Sequence, residues 1–282
     1  MTENEAETAQ HTKRPSDVIS ADFVARWEPH YDRRKYPVDF YLRYVTSARN
    51  AKSHEDLRGA LLALLHWKDG KAASFARGET PAAKPNTLNP MPALSGAALA
   101  GLAQSFHGLV GAEENNFKQQ AENLRNTLNQ MWRSVVIPAF VLHVARPDRL
   151  PIIDNHTMRA FLYLMRGEFV EKPTINNWGL WGHYATFFEE AVANAGFGSN
   201  CASRSQVDRA LFAYGKWLKE AYPREREKLL KKRALTLPAT KPGFANLWDQ
   251  LDAEIPKTQS RSAGRNNLAQ HGAKRSAEQA GK

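Results

Sequence analysis

Asp154 stands between a proline-shaped loop and an amphipathic stretch, within RSVVIPAFVLHVARPDRLPIIDNHTMRAFLYLMRG, residues 133–167. Pro147 and Pro151 end one helix and shape the loop, and Met158, Phe161, Leu162 and Met165 then form an apolar stripe that closes at Gly167. Asp154 is thereby placed at a helix N-cap, where backbone N–H donors and the positive end of the helix dipole favour an ionised carboxylate. A carboxylate fixed in that form can stabilise positive charge on a reacting carbon or orient a water. Asn155, His156 and Arg159 follow in the first turns, suited to holding the loop or touching an anion. The plain alternative for Asp154 is a good cap, and for its neighbours a solvated helix face.

Two other clusters carry chemistry-bearing side chains. TINNWGLWGHYATFFEE, residues 174–190, gathers Asn176, Asn177, Trp178, Trp181, His183 and Tyr184. Aromatic faces stack on planar ligands while amide and imidazole edges read polar rims; the alternative is a packing cluster at a helix start. In HWKDGK, residues 66–71, Trp67 and Lys68 lie at a helix end, where the ring can pack and the ammonium touch phosphate, although most such endings are simple C-caps.

These residues need helices to position them. Ser53, followed by His54, Glu55 and Asp56 and then by Leu57, Leu61, Leu64 and Leu65, marks a helix that ends at Gly70. Helical spacing recurs over about 37–50, 95–108, 113–133, 135–145, 155–166, 180–195, 205–221 and 243–252, and no convincing alternation of β-branched residues interrupts it. The expected class is all-α, with two helical lobes flanking a cleft. PAAKPNTLNPMP, residues 81–92, cannot continue a helix and is expected to join the lobes. In 205–220, Val207, Ala210, Leu211, Tyr214 and Leu218 form an amphipathic stripe. The run REREKLLKKR, 224–233, reads as a basic helix. Residues 1–16 and 254–282 are polar and aperiodic and are expected to be disordered, leaving 17–253 as the folded domain.

Thirty-nine Lys and Arg against 29 Asp and Glu give a net charge of +10 in 282 residues, favouring a polyanionic partner. With no apolar run long enough to span a membrane and an acidic, polar first segment unlike a signal peptide, the expectation is a cytoplasmic monomer with no membrane partner. The one cysteine, Cys201, excludes an intrachain disulfide and any thiolate-held cluster. The nine histidines are scattered without ligand spacing, so no metal and no cofactor is expected.

The run Ile153, Asp154, Asn155, His156, Thr157, Met158 and Arg159, after a helix and a Pro-containing loop, resembles the catalytic segment of the helix-hairpin-helix DNA glycosylases. The resemblance covers about 35 residues and implies an enzyme that flips a modified base out of duplex DNA and cuts its bond to deoxyribose. It assigns Asp154 as the catalytic carboxylate facing an oxocarbenium-like sugar; the stacking and polar residues of 176–184 are then the candidate pocket for the flipped base. Asn155, His156, Arg159, Arg133, Trp67 and Lys68 then support the loop or contact DNA phosphate. The family's glycine-rich hairpin is absent, with Gln130, Met131, Trp132, Arg133 and Ser134 in its place. No Lys occurs from 119 to 171, so the Schiff-base route of bifunctional members lacks a nucleophile there and a monofunctional, water-using enzyme is expected.

Within that family the resemblance extends to bacterial phage-defence enzymes that remove glucosylated hydroxymethylcytosine from viral DNA. Repair of alkylated or deaminated bases is the alternative within the class. A non-enzymatic helical nucleic-acid-binding protein, in which Asp154 only caps a helix, is the alternative outside it.

Overall fold

The computed structural model describes residues 19–78, 96–166, 169–198 and 200–221, and these form an all-α fold without strands. In order the helices are α1 (Ala21–Trp27), α2 (Val38–Arg49), α3 (His54–Lys68), α4 (Ala72–Ala76), α5 (Gly96–Val110), α6 (Phe117–Met131), α7 (Val136–Ala145), α8 (Asn155–Arg166), α9 (Trp178–Asn194) and α10 (Cys201–Glu220), with a 3-10 turn at Glu28–His30 after α1. The short α1 and α4 carry too few apolar repeats to be read from periodicity. The expected segments 1–16, 81–92, 224–233, 243–252 and 254–282 lie outside the described residues. No described helix is long and apolar enough to cross a membrane.

Local chemistry sets the helix ends. Ser53 caps α3 by accepting from the Asp56 N–H at 3.0 Å, while Asp56 accepts from the Ser53 N–H at 3.1 Å. Two residues past the end of α3, Gly70 turns to φ +70°, the left-handed conformation a helix stop requires and a side chain disfavours. Leu57, Leu61, Leu64 and Leu65 are all buried, as their spacing requires. On α8, Met158, Phe161 and Leu162 are buried but Met165 is 43% exposed, so the stripe ends a turn earlier than its sequence pattern.

Packing divides the helices into two sets. Helices α2 to α7 share one apolar core, in which Leu57, Leu61, Leu64, Leu102, Phe106, Leu124, Leu128 and Phe140 are fully or almost fully buried. In the second set α10 packs most extensively against α8 and also meets α1 and α9. Its stripe of Val207, Ala210, Leu211, Tyr214 and Leu218 is buried as expected. The α8–α10 crossing is close enough to demand glycine: a Cβ at Gly215 would collide with the backbone carbonyl of His156. That contact sets the start of α8 against α10, and Asp154 lies at that start.

Candidate functional site

Asp154 is the N-cap its position predicts, built as a reciprocal box. Its Oδ1 accepts from the His156 N–H at 2.6 Å and the Thr157 N–H at 2.9 Å, while the Thr157 hydroxyl accepts from the Asp154 N–H at 2.9 Å.

The loop leading to Asp154 is tied down at successive points. Arg146 grips Asp148 through Nε (3.1 Å) and a terminal nitrogen (2.9 Å) and donates to the Ala112 carbonyl at 2.9 Å. His143 bridges Tyr41, 2.5 Å from its Nε2, and the Leu150 carbonyl, 2.6 Å from its Nδ1. A carbonyl only accepts, so Nδ1 carries the proton and Nε2 accepts from the Tyr41 hydroxyl. Burial pushes His143 down to about 4, which keeps it in that neutral form. Lys68 then donates to the Ile153 carbonyl at 2.9 Å, one residue before Asp154.

Asp154 lines a cleft whose other walls are Tyr31, Tyr36, Trp67, Lys68, Ile152, Asp208 and Phe212. The N-terminal segment, α3, the 146–154 loop and α10 each contribute, so the cleft draws on both packing sets. It encloses about 20 Å³, room for a water with polar partners and far less than a nucleobase needs. A smaller cavity of about 10 Å³ adjoins it, lined among others by Tyr41, His143, Cys201 and Arg204, and shares Ile152 and Asp208 with it.

Electrostatically the cleft holds two kinds of carboxyl. Asp154 accepts two backbone N–H groups at the start of α8, whereas Oδ1 of Asp208 has no such donor, and burial first and then the charge of Asp154 push Asp208 up to about 8. Burial also lowers the Lys68 ammonium, against the opposing pull of Asp154 and Asp208. Tyr36 is pushed up to about 12 and Tyr31 beyond the ordinary phenol range, again by burial first, so both remain neutral hydroxyls. Tyr31 is held in place because Arg209 of α10 pairs with Glu28 at 2.7 Å and Lys216 lies 3.8 Å from Asp32.

The other expected site residues take varied positions. Arg159 is buried, donating to the carbonyls of Val170 (3.0 Å), Gly215 (2.9 Å) and Glu171, so it braces α8 and is turned away from any phosphate. His156 receives Arg159 at 3.2 Å and packs on Phe212 at 4.7 Å between ring centroids, and burial lowers its pKa. Asn155 and Arg133 are exposed. Arg133 lies in the turn 132–135 between α6 and α7, and Trp132 beside it is buried. Trp67 is buried, donating to the Pro37 carbonyl at 3.0 Å.

None of the 176–184 cluster lines the Asp154 cleft. Asn177 caps α9 by accepting from the Leu180 N–H at 2.7 Å. Trp178 donates to Asn129 at 3.1 Å and lies under Arg125, and it and Trp181 pack against the core of the first helix set. Tyr184 is fully buried against Phe161. Asn176 and His183 are exposed.

No family model, curated protein or solved structure matches the chain. Among the described residues no group of three or more His, Cys, Asp and Glu is arranged to hold a metal ion.

Sequence reasoning placed Asp154 and named Trp67 and Lys68, but it missed Tyr31, Tyr36, Asp208 and Phe212. A signal for Asp208 was present: a carboxylate on the apolar face of α10, beside Val207 and Leu211, is out of place on a surface helix.

Proposed function

We propose that this protein is a DNA N-glycosylase, with two helical lobes flanking a cleft, that takes a modified base out of the duplex and hydrolyses its bond to deoxyribose. The observation that carries the reading is the setting of Asp154: a carboxylate capped by two backbone N–H groups at a helix start, on a loop tied down at several residues, facing a cleft walled by aromatic rings. Breaking an N-glycosidic bond builds positive charge on the sugar, and a pre-fixed carboxylate stabilises it without reorganising. The rings of Tyr31, Tyr36, Trp67 and Phe212 offer stacking faces for an extruded base. The closed cleft admits no base, so these rings move aside as DNA binds. Had Asp154 faced packed side chains, a pure capping role and a non-enzymatic DNA-binding protein would be favoured.

The preferred substrate is a glucosylated hydroxymethylcytosine of phage DNA, removed in antiviral defence, because phenol hydroxyls and carboxyls beside the rings suit sugar hydroxyls as well as a base edge. Water is the nucleophile. The Lys68 ammonium is engaged with the Ile153 carbonyl and holds the loop. A second reading makes Lys68 an amine nucleophile, favoured by its place in the cleft and its lowered pKa.

The test is incubation with duplexes bearing glucosylated hydroxymethylcytosine, an alkylated purine, uracil or hypoxanthine, followed by assay for abasic sites. Abasic sites are expected on the glucosylated DNA. Tight DNA binding without abasic sites in any duplex would support the non-enzymatic reading instead.

A further inference from the structure

Asp208 has no evident structural task. Its side chain is half-buried, yet Oδ1 is wholly buried and lacks a hydrogen-bond partner. The two arginines nearest it on α10 are committed elsewhere, Arg204 to Glu189 at 2.7 and 2.5 Å and Arg209 to Glu28 at 2.7 Å. A buried carboxyl without a partner is tolerable when neutral and costly when charged. This one opens on the cleft that holds Asp154.

Building on the glycosylase reading, we propose that Asp208 is the acid that protonates the departing base, while the Asp154 carboxylate stabilises the sugar. A pyrimidine leaves poorly as an anion. The Asp208 O–H gives its proton to the base as the C1′–N bond breaks, and the bonding electron pair departs with the base. Water then adds to C1′ and its surplus proton passes to the Asp208 carboxylate, restoring the starting state. The net change is hydrolysis, with no further reactant. A proton-donating carboxyl beside a charge-stabilising carboxylate is the arrangement that acid-assisted glycosidic cleavage requires.

The groups facing Asp208 agree with a neutral acid. Asp154 raises it, whereas Lys68, Arg209 and Arg204 lower it less than burial raises it, and the balance leaves it at about 8. Tyr31 and Tyr41 are neutral phenols and His143 a neutral imidazole. Lys68 is also shifted downward from its ordinary value, by burial first, so the alkaline limb is assigned by variants.

The experiment is single-turnover excision against pH on DNA containing glucosylated hydroxymethylcytosine, with wild type, Asp208→Asn, Asp208→Glu and Lys68→Met. It is joined by ¹³C carboxyl titration of the full chain, with Asp208 assigned by its absence from the Asn variant. Wild-type excision should fall above about pH 8, Asp208→Asn should be about 100-fold slower and lack that limb, Asp208→Glu should recover part of the rate, and Lys68→Met should keep the limb. The carboxyl carbon of Asp208 should report a protonated group at pH 7. Excision by Asp208→Asn with the wild-type rate and profile, or an Asp208 already ionised at pH 6, overturns the acid role and leaves the glycosylase reading standing. A protonated Asp208 in a wild-type protein that makes no abasic sites overturns both.

Discussion

Asp154 and Lys68 show how far a residue's role can be read before its neighbours are known. Asp154 was legible because a cap is a local matter: the Pro-bounded loop, the apolar stripe after it and the donors of residues 156 and 157 all lie within a short stretch of chain. Lys68 was legible only as a cation at a helix end, because the Ile153 carbonyl it holds is 85 residues away. The absence of lysine from 119–171 leaves no amine near Asp154 in the local sequence, and α3 brings Lys68 there from outside that window. A hydrolytic enzyme leaves an intact strand with an abasic site, so borohydride should trap no protein–DNA adduct. A trapped adduct that disappears in Lys68→Met would assign Lys68 as a Schiff-base nucleophile and replace water in the mechanism.

At the scale of elements, helices with their own punctuation were readable and pairings between helices were not. The Ser53 box fixes the start of α3, and α8 runs over 155–166 as its periodicity predicts. The aromatic and amide side chains of 174–190 have a composition that fits a base pocket and a packing cluster equally well. Which face of α9 turns toward Asn129 depends on α6, about fifty residues earlier. The α8–α10 crossing is a second such case, since nothing around Gly215 announces that it meets the His156 carbonyl. Gly215→Ala should cost about 1–3 kcal/mol of stability through overpacking and should also slow excision, because the displaced backbone carries the Asp154 cap. Urea unfolding beside single-turnover excision checks this; a variant unchanged in both would contradict the close crossing.

For the whole molecule, the basic balance of +10 and the all-α class were open to composition and periodicity, whereas the cleft was not. Its eight lining residues come from four separate parts of the chain. Of these, Asp154, Trp67 and Lys68 are the ones that residue type and spacing single out as candidate site residues. Capping α8 and stabilising a sugar cation are separable roles for Asp154, and Asp154→Asn separates them. Asparagine remains a competent cap, so melting temperature and DNA binding should stay near wild type, while loss of the charge facing the sugar should slow excision about 100- to 1,000-fold. The direct measurement is single-turnover excision on DNA carrying the excised base, with melting temperature on the same preparations, for wild type, Asp154→Asn and Asp154→Ala. A folded, DNA-binding Asn variant that leaves the base in place is the predicted result; an Asn variant that excises at the wild-type rate, with only Ala losing stability and activity together, would contradict it.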